Sequence, residues 1–224
     1  MAKKSKRYRQ QAEGLGKEPV SLAEAVEKIK SFKAKFDQSV ECVLNLGIDP
    51  KQADQMIRGA ISLPNGIGKK KKVVAFCEGA DIEAAQKAGA IEAGGDELVK
   101  KVSDGWMDFD VAIASPKLMG KVGKLGRVLG PQGKMPSPKN GTVTPKVADA
   151  VAEFVAGKVE FKNDDGGNVH VITGKQSFET DKLIENIEAF VNHIKKIKPS
   201  AAKGTYIKKM SISATMSPGV QVIV

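Results

Sequence analysis

Two kinds of apolar pattern share this chain of 224 residues, and their order limits what it can fold into. Val40, Cys42, Leu44, Leu46 and Ile48 alternate with Glu41, Val43, Asn45 and Gly47, the pattern of a strand with one buried face. Val73 to Cys77 and Val111 to Ala114 are instead continuous apolar runs, separated by helical segments at 82 to 90 and 96 to 102. Strands without alternation, set between helices, mark a parallel sheet covered on both faces. Alternation returns after Gly157. The sequence therefore predicts an α+β terminal domain, an antiparallel sheet packed with helices, made from residues 1–67 and 158–224. Into it is inserted an α/β Rossmann-like parallel-sheet domain at 68–157. Gly66, Gly68 and Gly157 stand at the two crossings and are expected to serve as a paired hinge.

Within the outer parts, Ser21 and Glu24 form a capping box before a helix over 21 to 33, with Leu22, Ala25, Val26, Ile29 and Phe32 on one stripe. Residues 56 to 63 are expected as a strand. Residues 159 to 162 and 168 to 173 flank Asn-Asp-Asp-Gly-Gly, a hairpin signal. Leu183, Ile184, Ile187, Phe190, Val191, Ile194 and Ile197 make a helical stripe that Pro199 ends. Residues 205 to 215 form the last long strand, and 220 to 224 a short one. The first 18 residues, with Lys3, Lys4, Lys6, Arg7 and Arg9, are too polar to fold alone and are expected as a solvated tail.

With 36 basic against 26 acidic residues the net charge is +10, which favours a polyanionic partner. Residues 69 to 156 hold 14 basic and 11 acidic residues, or +3, leaving +7 for the two ends together. Aromatic residues are only 5%, too few for a broad base-stacking platform. No apolar run approaches the roughly 20 residues of a membrane-spanning helix. The polar start MAKKSKRYRQ lacks a signal region, so a cytoplasmic location is expected. Cys42 and Cys77 sit singly in apolar runs and read as reduced core residues. His170 and His193 have no ligand partners at metal spacing, so no metal, cofactor or catalytic constellation is expected.

Residues 125 to 145, LGRVLGPQGKMPSPKNGTVTP, hold four glycines and four prolines and read as a long basic loop rather than a regular element. It is not a phosphate-binding P-loop, because Met135 follows Gly133-Lys134 and position 128 is valine. The run LGPQGKMPSPKNGTVT closely resembles the signature of the bacterial L-one family of large-subunit ribosomal proteins. So do NLGIDPKQADQMIRGAISLPNGIGK at 45 to 69 and, near the end, KGTYIKK followed by TMSPG. The resemblance covers essentially the whole chain. It implies a ribosomal protein, monomeric off the ribosome, that binds folded large-subunit rRNA of a mobile stalk near the tRNA exit site. It also implies assistance in releasing exit-site tRNA and repression of the protein's own operon mRNA.

Period two on the last strand puts Tyr206, Lys208, Met210, Ile212 and Ala214 on one face and Lys209, Ser211, Ser213 and Thr215 on the other. The second face is either an ordinary solvent face or a recognition surface, since hydroxyls both donate to phosphate and accept from a 2′-OH. The resemblance implies the latter. It assigns RNA contact to Lys35-Phe36 and to the corner Thr215-Met216, where Ser217 replaces the family's glycine. His170, beside Lys175, is an RNA contact or a structural hydrogen-bonding group. A nucleotide-binding enzyme and a stand-alone RNA regulator are the alternatives.

Overall fold

The structure, a computed structural model, describes residues 4–16 and 18–223. Lys3 of the basic start and Val224 of the last strand lie outside the described residues. In chain order the elements begin α1 (Lys6–Glu13), α2 (Leu22–Ser31), β1 (Ser39–Leu46), β2 (Arg58–Ile61), β3 (Val73–Phe76), α3 (Ala80–Lys87), β4 (Glu92–Gly94), α4 (Asp96–Ser103) and β5 (Val111–Ala114). They continue with α5 (Met119–Val122), α6 (Gly126–Leu129), α7 (Val147–Ala156), β6 (Val159–Lys162), β7 (Asn168–Lys175), α8 (Thr180–Lys196), β8 (Ile207–Ala214) and β9 (Val220–Val222). The chain divides into two compact units, Met1–Gly68 with Phe161–Val224, and Lys69–Glu160.

The discontinuous unit is built on a four-stranded sheet in the order β7-β1-β8-β9, with every pair antiparallel. The alternation in the sequence becomes alternation in burial. Val40, Cys42, Leu44 and Leu46 are almost fully buried, while their neighbours on β1 are only half covered. Helices α2 and α8 pack on the buried face. From α8 come Leu183, Ile187, Phe190 and Ile194, all at 0% exposure, and from α2 Ala25, Val26 and Ile29. Each large apolar side chain so removed from water contributes about 1.5 to 3 kcal/mol. Ser21 caps α2 by accepting from the Glu24 N–H, as its position predicts.

One buried polar residue organises this unit from within. Asn186, fully buried on α8, accepts from the Asn65 N–H at 3.0 Å and donates to the carbonyls of Gly66 at 3.0 Å and Thr173 at 2.8 Å. It thus ties the segment after β2 to β7. Gly68 has φ +71, and a Cβ there would lie 2.9 Å from both the Lys175 side chain and the Phe178 ring, so glycine alone fits without displacement.

The inserted unit holds a three-stranded parallel sheet in the order β4-β3-β5. Every residue of β3 and β5 is buried, as their unbroken apolar runs require. Helices α3 and α7 lie against one another, with α7 against β3 and β5. Gly157 closes α7 in the left-handed conformation, φ 115, its N–H and that of Lys158 returning to the last carbonyls.

Five expectations are corrected. Residues 125 to 145 are not loop throughout. Leu118, Val122, Leu125 and Leu129 recur at three- and four-residue spacing along a run of short helical turns and bury into the core with Phe76, Leu98 and Phe109. Irregular chain begins at Gly130. The strands at 159 to 162 and 168 to 173 are not hairpin partners, because β6 pairs with β2 and β7 with β1; one bridge, Asn163 to Val169, joins them. Lys208 does not share the buried face of β8. The pairing skips it between Asn45 with Lys209 and Leu46 with Ile207, and it stands exposed in a bulge. A third parallel strand, β4, was not expected from Glu-Ala-Gly, which lacks β-branched residues. The basic start contains a helix, α1, capped by Ser5.

Candidate nucleic-acid interface

On the face of the four-stranded sheet opposite α2 and α8, the register lines up the side chains in rows. His170, Val43, Ser211 and Gln221 form one row across β7, β1, β8 and β9. Ile172, Glu41 and Ser213 form the next towards one end, and Asn168, Asn45 and Lys209 the next towards the other. Lys175 opposes Ser39 at the first end. Lys209, Ser211 and Ser213 therefore lie on the open side, as period two predicts.

The two ends are held differently. At the Asn168 end, Asn45 Nδ2 donates to Asn168 Oδ1 at 2.7 Å. Asp164 Oδ1 accepts from the N–H groups of Asn168 at 2.7 Å and Gly166 at 2.9 Å, fixing the turn before β7. Hydrogen bonds from the Asn168 side chain and backbone hold the Asp164 carboxyl below the usual carboxylate range. His170 Nε2 lies 3.7 Å from Asp164 Oδ2, beyond hydrogen-bond distance, and both side chains are about half exposed, so the ring is open to a ligand.

At the other end, a polar relay joins three distant segments. Gln176 Nε2 donates to the carbonyls of Ile29 and Phe32, each at 2.8 Å. Gln38 Nε2 donates to Gln176 Oε1 at 3.1 Å, and Gln38 Oε1 accepts from the Met216 N–H at 2.9 Å. Gln38 is 1% exposed and stands two residues after Phe36. The relay thus brings Lys35-Phe36 and Thr215-Met216 to the same end of the sheet, although about 180 residues separate them in sequence. Phe36 and Met216 are left 52% and 53% exposed, large apolar surfaces beside polar rows.

The hydroxyls are not equivalent. Thr215 has left β8, and its Oγ1 accepts from the Ser39 N–H at 3.1 Å while its own N–H donates to the Ser39 carbonyl at 3.1 Å. Its hydroxyl is therefore already bonded to Ser39, although the residue itself is exposed. Ser217 Oγ folds back to accept from the Ala214 N–H at 2.8 Å, and among the described residues no non-glycine residue has positive φ, so serine fits this corner without strain. Lys175 Nζ donates to Ser39 Oγ at 2.9 Å. Among the described residues neither the Ser211 nor the Ser213 hydroxyl has a protein partner.

Such a surface discriminates by position. The cations Lys175 and Lys209 stand at its ends, with Lys35 near one of them, where phosphates would be attracted. Glu41, with acceptors only, repels phosphate from the middle and favours donors such as a 2′-OH or a base amino group.

Elsewhere, Lys71, Asp110, Lys134 and Glu160 line a polar pocket of the inserted unit; burial pushes the Lys71 ammonium down and the Glu160 carboxyl up. Burial raises the Cys42 thiol to about 12 and, with help from Asp81, that of Cys77 to about 11. Neither thiol is poised for nucleophilic chemistry. Among the described residues no cluster of three His, Cys, Asp or Glu has metal-holding geometry, and no helix is long and apolar enough to cross a membrane.

Residues 16–218 match the model of the ribosomal protein L1p/L10e family. Three curated relatives share the name large ribosomal subunit protein uL1. That of Rhodopirellula baltica is 57% identical over 223 residues, covering 99% of both chains. That of Maridesulfovibrio salexigens is 50% identical, covering 99% of this chain and 95% of the relative. That of a Nocardioides species is also 50% identical, covering 98% and 92%.

Proposed function

This chain belongs to the ribosomal protein L1p/L10e family, and we propose that it binds folded rRNA of the large ribosomal subunit through the open sheet face of its discontinuous unit. The observation that carries this reading is the row structure of that face, with cations at the ends and free Ser211 and Ser213 hydroxyls between them. Lys35, Phe36, His170, Lys175, Lys209, Ser211, Ser213, Thr215, Met216 and Ser217 make the contacts, and Thr215 and Ser217 also hold the corner in shape. The protein works in cytoplasmic ribosomes without catalysis and as a monomer when free. From the family resemblance we further propose that it sits on the mobile stalk near the exit site, aids release of deacylated tRNA and represses its own mRNA. Gly66, Gly68 and Gly157, all with positive φ, are kept as hinge positions in this reading.

Filter binding to a large-subunit rRNA fragment over a salt series tests it. Lys35→Ala should reduce the magnitude of the slope of log affinity against log salt by about 0.7 to 0.9, the loss of one phosphate contact. An unchanged slope removes Lys35 from the interface. Equal affinity of the unaltered chain for an unrelated RNA of the same length contradicts the whole reading.

A further inference from the structure

We propose that helix α1 is a second wall of the RNA site, contacting phosphates that flank the Thr215-Met216 corner; this rests on the RNA-binding role proposed above. Three observations lead there. The helix contributes no buried residue to the fold. Its partly covered stripe is Tyr8, Gln11 and Ala12, continued by Leu15, and Lys6 and Arg9 lie off that stripe and are exposed. Its charges also work against its own stability. The first turn is basic and lacks acids, and the last turn lacks bases, the reverse of what the helix dipole favours.

An eight-residue helix is marginal by itself. Lys6 and Arg9, which neither bury nor stabilise it, point to an external anion. Among the described residues Lys4, Lys6, Arg7 and Arg9 form no ion pair, and the Lys4 ammonium lies 4.9 Å from the centre of the Tyr8 ring.

The position is fixed from both sides. Arg7 Nη2 donates to the Met216 carbonyl at 3.4 Å, placing the helix at the corner the interface already uses. Beyond the helix, the Val20 N–H donates to the Gln221 carbonyl and the Ile223 N–H to the Val20 carbonyl, each at 3.0 Å, so the connecting segment runs beside β9. A basic surface therefore borders Met216 and extends the interface past the sheet edge. RNA fits it better than an acidic protein does, because a regular row of phosphates is already required along the adjoining face.

The test compares the full chain with two triple variants of equal charge loss. Lys4→Gln with Lys6→Gln and Arg9→Gln, which leaves the Arg7 anchor in place, should reduce the magnitude of the salt slope for the rRNA fragment by about 2 to 3 and weaken binding by about tenfold or more. The urea midpoint should stay in place, since nothing buried is changed. Lys87→Gln with Lys117→Gln and Lys124→Gln, exposed positions on the inserted unit, should leave the slope nearly unaltered. Equal slope losses in both triples would mean a diffuse field and overturn the proposal. A triple at 4, 6 and 9 that binds like the unaltered chain while Lys35→Ala still loses its contact would overturn α1 alone. Failure of the unaltered chain to prefer this RNA would overturn both readings.

Discussion

Ser211→Glu should weaken binding to the rRNA fragment by about 100-fold or more, because it sets a second carboxylate diagonal to Glu41 in the middle of the recognition face. Juxtaposing like charges across an interface costs several kcal/mol, and about 3 kcal/mol corresponds to roughly 100-fold. The hydroxyl's own contribution is smaller. Ser211→Ala, which removes only a hydrogen bond of about 0.5 to 1.5 kcal/mol, should cost little more than tenfold. Ser211 is half covered and its hydroxyl has no partner among the described residues, so thermal unfolding should be nearly the same in both variants. Binding of Ser211→Glu within threefold of the unaltered protein would make this face an ordinary solvated one.

Asn186→Leu should destabilise the discontinuous unit by about 3 to 5 kcal/mol. Leucine fills similar space but strands the Asn65 N–H and the carbonyls of Gly66 and Thr173, all served by one side chain. Each buried group left without a partner costs about 1 to 3 kcal/mol, and Asn65 recovers part of that because it reaches water. Native-state hydrogen exchange at the Cys42 and Leu44 amides, in the middle of β1, reads the change directly. Protection lowered by less than about 1 kcal/mol would show that the Asn186 bonds are replaceable by solvent.

Neither Asn186 nor the Gln38-Gln176 relay was legible beforehand, and for one physical reason. Both act between segments more than a hundred residues apart, where only the folded chain brings donor to acceptor. Period-two alternation, by contrast, is local, and it identified β1 and the outward column of Lys209, Ser211 and Ser213. It failed at Lys208 because a bulge is a property of a strand pair. Turn chemistry behaved similarly: Asp164 does close the turn at 164 to 168, but nothing in the turn dictates that β6 and β7 join different partners. In residues 118 to 129 the signal was present. Leu118, Val122, Leu125 and Leu129 carry helical spacing, which the glycines at 120, 123 and 126 and the prolines beyond obscured. Thr215 stands at the corner, and its hydroxyl bonds to the Ser39 N–H, a contact that backbone pairing creates and a sequence does not record.

The most direct measurement is photochemical crosslinking of the intact chain to the large-subunit rRNA fragment, with the modified peptides identified by mass spectrometry. Adducts are expected at Phe36, His170, Ser211 and Met216, with further ones between Lys4 and Arg9, all within the discontinuous unit. Adducts confined to residues 69 to 160, with the sheet face unmodified, would contradict RNA binding through that face.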